Sequence, residues 1–316
     1  MVNLASRARH KLRSLCGAAL HHGKTAWTPA ARTTRRLLIA AGAPLRKRCL
    51  VLPCMTGADT SGLFTEFLAA VGALSQHERW PTIYSGLRID YGDGGLYYDP
   101  AVGLNWWEYY FEPIALGTSD NAVVTTIDPH QHDLLTYHAA AMSRATAHDL
   151  ISRHVRLQPH LQNTLDAYVS RHFTGVFPIG VHYRGTDKHE EAPPVPYEEV
   201  VAAIRDAAAG AGTVPFRVFV ATDDQRFLDA MIERFQGRLL YRPMFRSRDG
   251  RPIDVTNDDT NYQKGEDAVI DCLLLSRTRF LIRTTSNLSL CSAFFNPEVP
   301  DRLLNRPYYS ARSNLW

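Results

Sequence analysis

From residue 174 onward the chain alternates two kinds of segment, and this alternation limits its fold more than any other feature. Short apolar runs at 179–183, 216–221, 238–241 and 280–283 read as strands. Between them lie stretches with helical spacing. In 197–209, Val200, Val201 and Ile204 share one face and Gly210 marks the stop. In 225–235, Phe227, Leu228, Met231, Ile232 and Phe235 do the same, and 266–276 supplies a third helix. Thr284-Thr285-Ser286-Asn287 then caps a final helix. Repeated βα units of this kind predict an α/β fold with a parallel, doubly wound sheet. Ligands of such sheets bind at the carboxyl ends of the strands, so those ends are where chemistry is sought.

The earlier part of the chain reads less sharply. A first strand is expected at 49–53. A turn, Thr56-Gly57-Ala58-Asp59-Thr60-Ser61-Gly62, leads into a helix at 63–74 with apolar residues at 63, 67, 70, 71 and 74. That turn can hold an anion or be purely structural. The aromatic stretch 105–113, including Trp106, Trp107, Tyr109 and Tyr110, can line a sugar site or form core with a polar edge. Helical patterns fill 131–173, interrupted at 157–159. At 316 residues the chain has room for two α/β domains, divided here as 49–173 and 174–316.

Residues 1–48 stand apart. They carry eleven Lys or Arg and no Asp or Glu, whereas the whole chain has a net charge of only +3, so the remainder is net acidic. The apolar run 37–45 is too short to span a bilayer, and no signal-peptide order is present. The arm suits an anionic membrane surface, nucleic acid or organelle targeting; a poorly ordered solubilising extension is the competing reading. The five cysteines are odd in number and too scattered for a disulfide framework or zinc cluster, which points to a reducing, cytoplasmic setting.

Three strand or helix ends carry chemistry. The run 180–191 releases His182, Arg184, Asp187, Lys188, Glu190 and Glu191 behind an apolar strand and ahead of Pro193, Pro194 and Pro196. Arg184 offers a planar fork suited to phosphate, and a nearby carboxylate can accept a proton from an attacking hydroxyl. A solvated loop with internal ion pairs is the plainer alternative. Asp223 and Asp224 end the next strand, where they can cap a helix or hold a ribose, a loop or an Arg. Asp271 lies in the apolar helix segment Ala268-Val269-Ile270-Asp271-Cys272-Leu273, a costly place unless it is paired with a ligand N–H pair or a buried Arg. Thr284, Thr285, Ser286 and Asn287 can cradle phosphate at a strand-to-helix turn, or simply cap the helix.

Together these segments resemble the three motifs of the α1,6-fucosyltransferases, which include the rhizobial nodulation enzymes and are related to the protein O-fucosyltransferases. His182-x-Arg184-x-Thr186-Asp187-Lys188 is similar to the first motif and Ala221-Thr222-Asp223-Asp224 to the second. Asp271 through Ser276, Phe280-Leu281-Ile282 and Thr284-x-Ser286 are similar to the third. The resemblance covers about residues 175–295. It implies a GT-B architecture: two Rossmann-like domains facing across a cleft, with GDP-fucose held mainly by the C-terminal one. It implies inversion at the anomeric carbon without a metal or other cofactor. By position it puts Arg184 on the β-phosphate, His182 and Asp271 on guanine, and Ser286 and Asn287 beside the phosphates. It makes Glu191, with Glu190 behind it, the general base. The chain departs from the pattern at Gly185, where those enzymes carry a second Arg, and at Asn287, where they carry Ser.

The expected partners are thus a nucleotide sugar and a glycan or glycoconjugate acceptor, with a membrane surface met through the arm and no nucleic acid. Transfer from another nucleotide sugar and a non-catalytic binding role are the alternatives; Glu190 and Glu191 argue against the latter. A metal site at Asp258-Asp259 or Asp223-Asp224, as in GT-A enzymes, is the third.

Overall fold

The computed structural model describes residues 47–117, 122–186, 192–251 and 260–307. The first half contains β1 (Arg48–Pro53), α1 (Leu63–Arg79), β2 (Tyr84–Asp90), α2 (Trp107–Tyr110), β3 (Ala115–Leu116) and β4 (Val123–Thr126). Three helices follow: α3 (Pro129–Ala140), α4 (Arg144–His154) and α5 (Pro159–His172). The four strands form a sheet in the order β3-β2-β1-β4, with β1 parallel to β2 and β4 and only β3 antiparallel.

The second half contains β5 (Phe177–Tyr183), α6 (Tyr197–Ala209), β6 (Phe216–Thr222), α7 (Gln225–Phe235), β7 (Leu239–Leu240), α8 (Asn261–Ser276), β8 (Phe280–Arg283), α9 (Asn287–Phe295) and β9 (Asp301–Leu303). Its strands form an all-parallel sheet in the order β7-β6-β5-β8-β9. Strand alternation assigns the faces. Ile179, Val181 and Tyr183 face α6 and α7, where the Tyr183 and Phe227 rings stack 4.0 Å apart. Phe219, Ala221 and Leu281 face the other way and join a larger core.

That larger core runs through both halves. Helices α8 and α9 pack on each other; α9 also meets α1 and α4, while α8 meets α5, α2, β5 and β6. Helix α1 is buried on every side from Glu66 to Leu74, and apart from Glu66 those residues are apolar or glycine, as in a helix enclosed by neighbours. Gly72 permits this: a Cβ there would meet the Leu135 carbonyl oxygen of α3 at 2.3 Å.

The first half differs from the sequence reading in two ways and decides between the two readings of the aromatic stretch. It holds four strands rather than one. In β2 only Leu87 and Ile89 are inward, interrupted by polar Arg88 and Asp90, and the edge strand β4 leaves Val123 and Val124 exposed. Neither shows the apolar run by which strands were recognised. The helical region breaks at 141–143 as well as at 155–158. The aromatic stretch is core, not a sugar-lining surface: Trp106, Trp107, Tyr110 and Phe111 are each at most 2% exposed. Trp107 stacks on Phe67 with ring centres 5.8 Å apart, and Trp106 lies 4.7 Å from Tyr91.

Tyr110 also joins the halves. Its hydroxyl donates to the Tyr262 carbonyl at 2.9 Å, and its ring stacks on Tyr262 at 5.8 Å. A Cβ on Gly265 would sit 2.0 Å from that hydroxyl oxygen. Gly265→Ala should therefore destabilise the protein by about 1–3 kcal/mol through overpacking, although Ala favours a helix by about 1 kcal/mol. Denaturant unfolding measures this; a neutral or stabilising result would mean that Tyr110 is not seated against α8.

Candidate functional site

The carboxyl ends of β5, β6 and β8 converge, and each delivers one of the sequence motifs. Thr222 Oγ1 donates to the Tyr183 carbonyl at 2.7 Å, and Thr284 N donates to the His182 carbonyl at 3.0 Å. Thr284 Oγ1 accepts from the Arg184 amide at 2.9 Å. Thr284 thus braces the backbone that carries Arg184.

Asp223 is the hub of the edge. It is 5% exposed and accepts from the Gly185 amide at 2.8 Å and the Thr186 hydroxyl at 2.6 Å, while Arg184 Nε lies 3.0 Å from Oδ2. Of the roles open to Asp223 from sequence, it holds the loop and the Arg. Asp224 caps α7, accepting from Arg226 N at 2.9 Å, and also accepts from Tyr197 OH at 3.3 Å. Protein donors thus engage both carboxylates. Gly185 has no room for a side chain, because a Cβ would lie 2.7 Å from Asp224 and 2.8 Å from Tyr183.

His182 is buried beside this edge, and no hydrogen bond reaches its Nδ1 among the described residues. Burial, reinforced by Arg184 and Arg283, pushes its pKa down to about 3. It is therefore a neutral imidazole at physiological pH.

Asp271 is 3% exposed on the inner side of α8. Its nearest cation is Arg242, just beyond β7, whose Nη1 lies 3.5 Å from Oδ1. The same guanidinium sits 3.0 Å from Asp267 Oδ1. Burial raises the Asp271 pKa to about 6, against the pull of Arg242 and Arg246. The sequence argument demanded a partner for Asp271 but not which one; Arg242 and Asp267 carry no motif.

The third motif reaches the first half. Ser286 caps α9 through the Leu288 amide at 3.3 Å, and Asn287 Nδ2 donates to Thr65 Oγ1 at the start of α1, 3.0 Å away. The starts of α9 and α1 therefore meet. Next to Thr65, the buried carboxylate of Glu66 accepts from Met55 N at 2.9 Å, Ser61 Oγ at 2.7 Å and His132 Nε2 at 2.8 Å. These bonds fix the β1–α1 loop. Sequence reasoning missed Glu66, although a carboxylate among Leu63, Phe64, Phe67 and Leu68 carries the same signal as Asp271. Glu190, Glu191, Asp187, Lys188, Asp258 and Asp259 lie outside the described residues.

With this geometry in view, comparison with known proteins is informative. Nodulation protein Z of Sinorhizobium fredii is 30% identical over 163 residues, which cover 48% of this chain and 50% of that protein. The chain thus spans about half the length of the curated relative it matches. The fucosyltransferase NodZ from Bradyrhizobium superposes with a TM-score of 0.55 and 19% identity, covering 82% of this chain and 94% of that one. A NodZ alpha-1,6-fucosyltransferase soaked with GDP-fucose gives a TM-score of 0.52 and 21% identity over 79% of this chain and 94% of that one. The chain resembles nodulation protein Z in sequence over that half and shares the fold of the NodZ fucosyltransferases. The GT-B architecture implied by the three motifs is the one found. No family model matches the chain. Among the described residues no helix is long and apolar enough to cross a membrane.

The two neighbouring carboxylates should separate on mutation. Asp223→Ala leaves an Arg and two polar groups without their acceptor and should cost about 2–4 kcal/mol. Asp224→Ala loses a helix cap, the Tyr197 contact and an exposed ion pair with Arg226 Nε at 3.3 Å, and should cost about 1 kcal/mol. Chemical denaturation of both variants checks this; equal costs would show that Asp223 is no hub.

Proposed function

We propose that the protein transfers fucose from GDP-fucose to a hydroxyl of a glycan or glycoconjugate, with inversion and without a metal. The observation that carries this reading is Arg184. Its side chain is held by buried Asp223 and its amide by Thr284, where two strand ends meet the start of α9, in a chain with the fold of NodZ. On this reading residues 174–316 bind the donor and 49–173 face the acceptor. The basic residues 1–48 provide peripheral contact with an anionic membrane surface.

The residues divide the work by chemistry. Arg184 neutralises the β-phosphate, and the α9 start, with Ser286 and Asn287, offers donors beside it. Neutral His182 and the Asp271 carboxylate accept or donate at the guanine edge. Glu191, or else Glu190, removes the acceptor hydroxyl proton as its oxygen bonds to the anomeric carbon. The bond from that carbon to the phosphate oxygen breaks, and GDP leaves with the electron pair. Charge accumulates on GDP at that moment, so a fixed cation there contributes several kcal/mol. A Glu near its ordinary pKa is already ionised at neutral pH, so the base needs no special tuning.

GDP should bind in EDTA and, at a hundredfold excess over Kd, stabilise the fold by about 2.7 kcal/mol. Binding that vanishes with the chelator would overturn the metal-free reading. Arg184→Ala should lower turnover by about two orders of magnitude or more, and Arg184→Lys should not restore it because the fork is lost.

A separate test addresses the base. Glu191→Gln should abolish transfer and leave GDP affinity nearly unchanged. If Glu190→Gln is the silent enzyme instead, the role moves one residue; if both variants transfer normally, neither is the base.

A further inference from the structure

Asp271 is buried, yet poorly satisfied. Among the described residues its only hydrogen-bond donor is Arg242 Nη1, at a long 3.5 Å to Oδ1, and Oδ2 has no partner. Arg242 is held firmly elsewhere. Its Nη2 lies 3.0 Å from Asp267 Oδ1, and its Nη1 donates to the Asp267 carbonyl at 3.2 Å. Its side chain is 13% exposed and so largely withdrawn from water. Its own backbone carbonyl accepts from Arg246 Nη2 at 2.9 Å, which ties the turn after β7 together. That turn reaches the second motif: Ser247 N donates to the Asp223 carbonyl at 2.8 Å. A cation has thus been built beside Asp271 without saturating it.

We propose that Arg242 is a positioning residue for base recognition: anchored on Asp267, it keeps the buried Asp271 as a carboxylate with an oxygen left to accept the N–H groups of a purine. This rests on the reading that Asp271 meets guanine. The chemistry requires the ionised form. A guanine edge presents two adjacent N–H donors, and a carboxylate accepts both. A protonated carboxyl would present a donor of its own to one of them.

The surroundings decide which form is present. Burial disfavours the charge on Asp271, and Asp267, one turn away, adds repulsion; Arg242 and Arg246 oppose both. From α5, Tyr168 approaches, itself pushed above its ordinary range by burial. Cys272 beside it is likewise raised by burial and stays a neutral thiol. His182 on β5 is neutral. Only the two arginines therefore favour the carboxylate near neutral pH, and only Arg242 is within reach of an oxygen of Asp271. With Asp271 at about 6, affinity for the base should hold above pH 7 and fall as the pH drops through that value. Without Arg242 the fall should begin at higher pH.

The experiment is GDP calorimetry between pH 5.5 and 9 on full-length wild type, Arg242→Met, Arg242→Lys and Asp271→Asn. With one unit added to the Asp271 value of about 6, Arg242→Met should bind GDP about twofold more weakly at pH 7 and about eightfold more weakly at pH 5.5, and should match wild type by pH 9. Arg242→Lys restores charge and should keep the wild-type profile. A flat, wild-type profile for Arg242→Met, or a loss of affinity that pH does not repair, overturns the proposal. If Arg242→Met does not fold, Arg242→Gln replaces it under the same criteria. Asp271→Asn separates the two ideas. Should it bind GDP like wild type, Asp271 does not read the base and the underlying assignment falls. Should it lose GDP while Arg242→Met keeps the wild-type profile, only the role of Arg242 falls.

Discussion

One apolar layer, the helix pair α8 and α9, serves both halves of the molecule. Val269, Ile270, Leu274, Leu290 and Phe294 are buried between the second sheet and the helices of the first half. The two sheets cannot draw apart without exposing this layer to water, at about 25 cal/mol per Å² of apolar surface. Its packing fixes where the strand ends face each other. Gly265 is the local cost of that closeness, since α8 gives up a side chain to admit Tyr110. The 3.0 Å bond from Asn287 to Thr65 is its consequence at the site.

Around this layer the protein spends its buried charge at junctions. Glu66 fixes the loop between β1 and α1, Asp223 the loop after β5, and Asp271 with Asp267 the turn after β7. Asp301 on β9 accepts from Arg283 Nε at 2.6 Å and from Arg144 of α4 at 2.6 Å, another tie between the halves. Burial alone would raise its pKa, but the two arginines outweigh it and hold the carboxyl below its ordinary range. A paired buried carboxylate contributes little net stability, yet removing one partner costs about 3–5 kcal/mol. Such groups therefore act less as glue than as locks on one arrangement of loops. Asp271 is the exception: among the described residues it accepts only one long bond, from Arg242, and keeps an oxygen left over.

The second half was legible because its signals are local. A fully buried parallel strand is apolar along its length, an amphipathic helix repeats at 3.6 residues, and a cap residue sits next to the helix it caps. The strands at Val181, Val220 and Ile282 and the helices through Ile204 and Met231 could therefore be read directly. The first half hid its strands. β2 alternates Leu87 and Ile89 with charge, and β4 is an exposed edge, so neither carries enough apolar residues to stand out. The aromatic residues at 105–113 were ambiguous for a related reason: composition shows that a ring is apolar, not whether protein or ligand covers it.

By itself the sequence determined the parallel α/β architecture of the second half and the order of its motifs. It also marked His182, Arg184, Asp223, Asp224 and Ser286 at strand ends and caps, which are set by neighbours along the chain, and Asp271 as a carboxylate inside an apolar helix. Only the tertiary structure decided what those residues touch. Asp223 meets Arg184, Asp271 meets Arg242, and Asn287 meets Thr65 across 222 positions. A buried carboxylate announces that it needs a partner; which partner arrives depends on which loop the packed helices bring within about 3 Å.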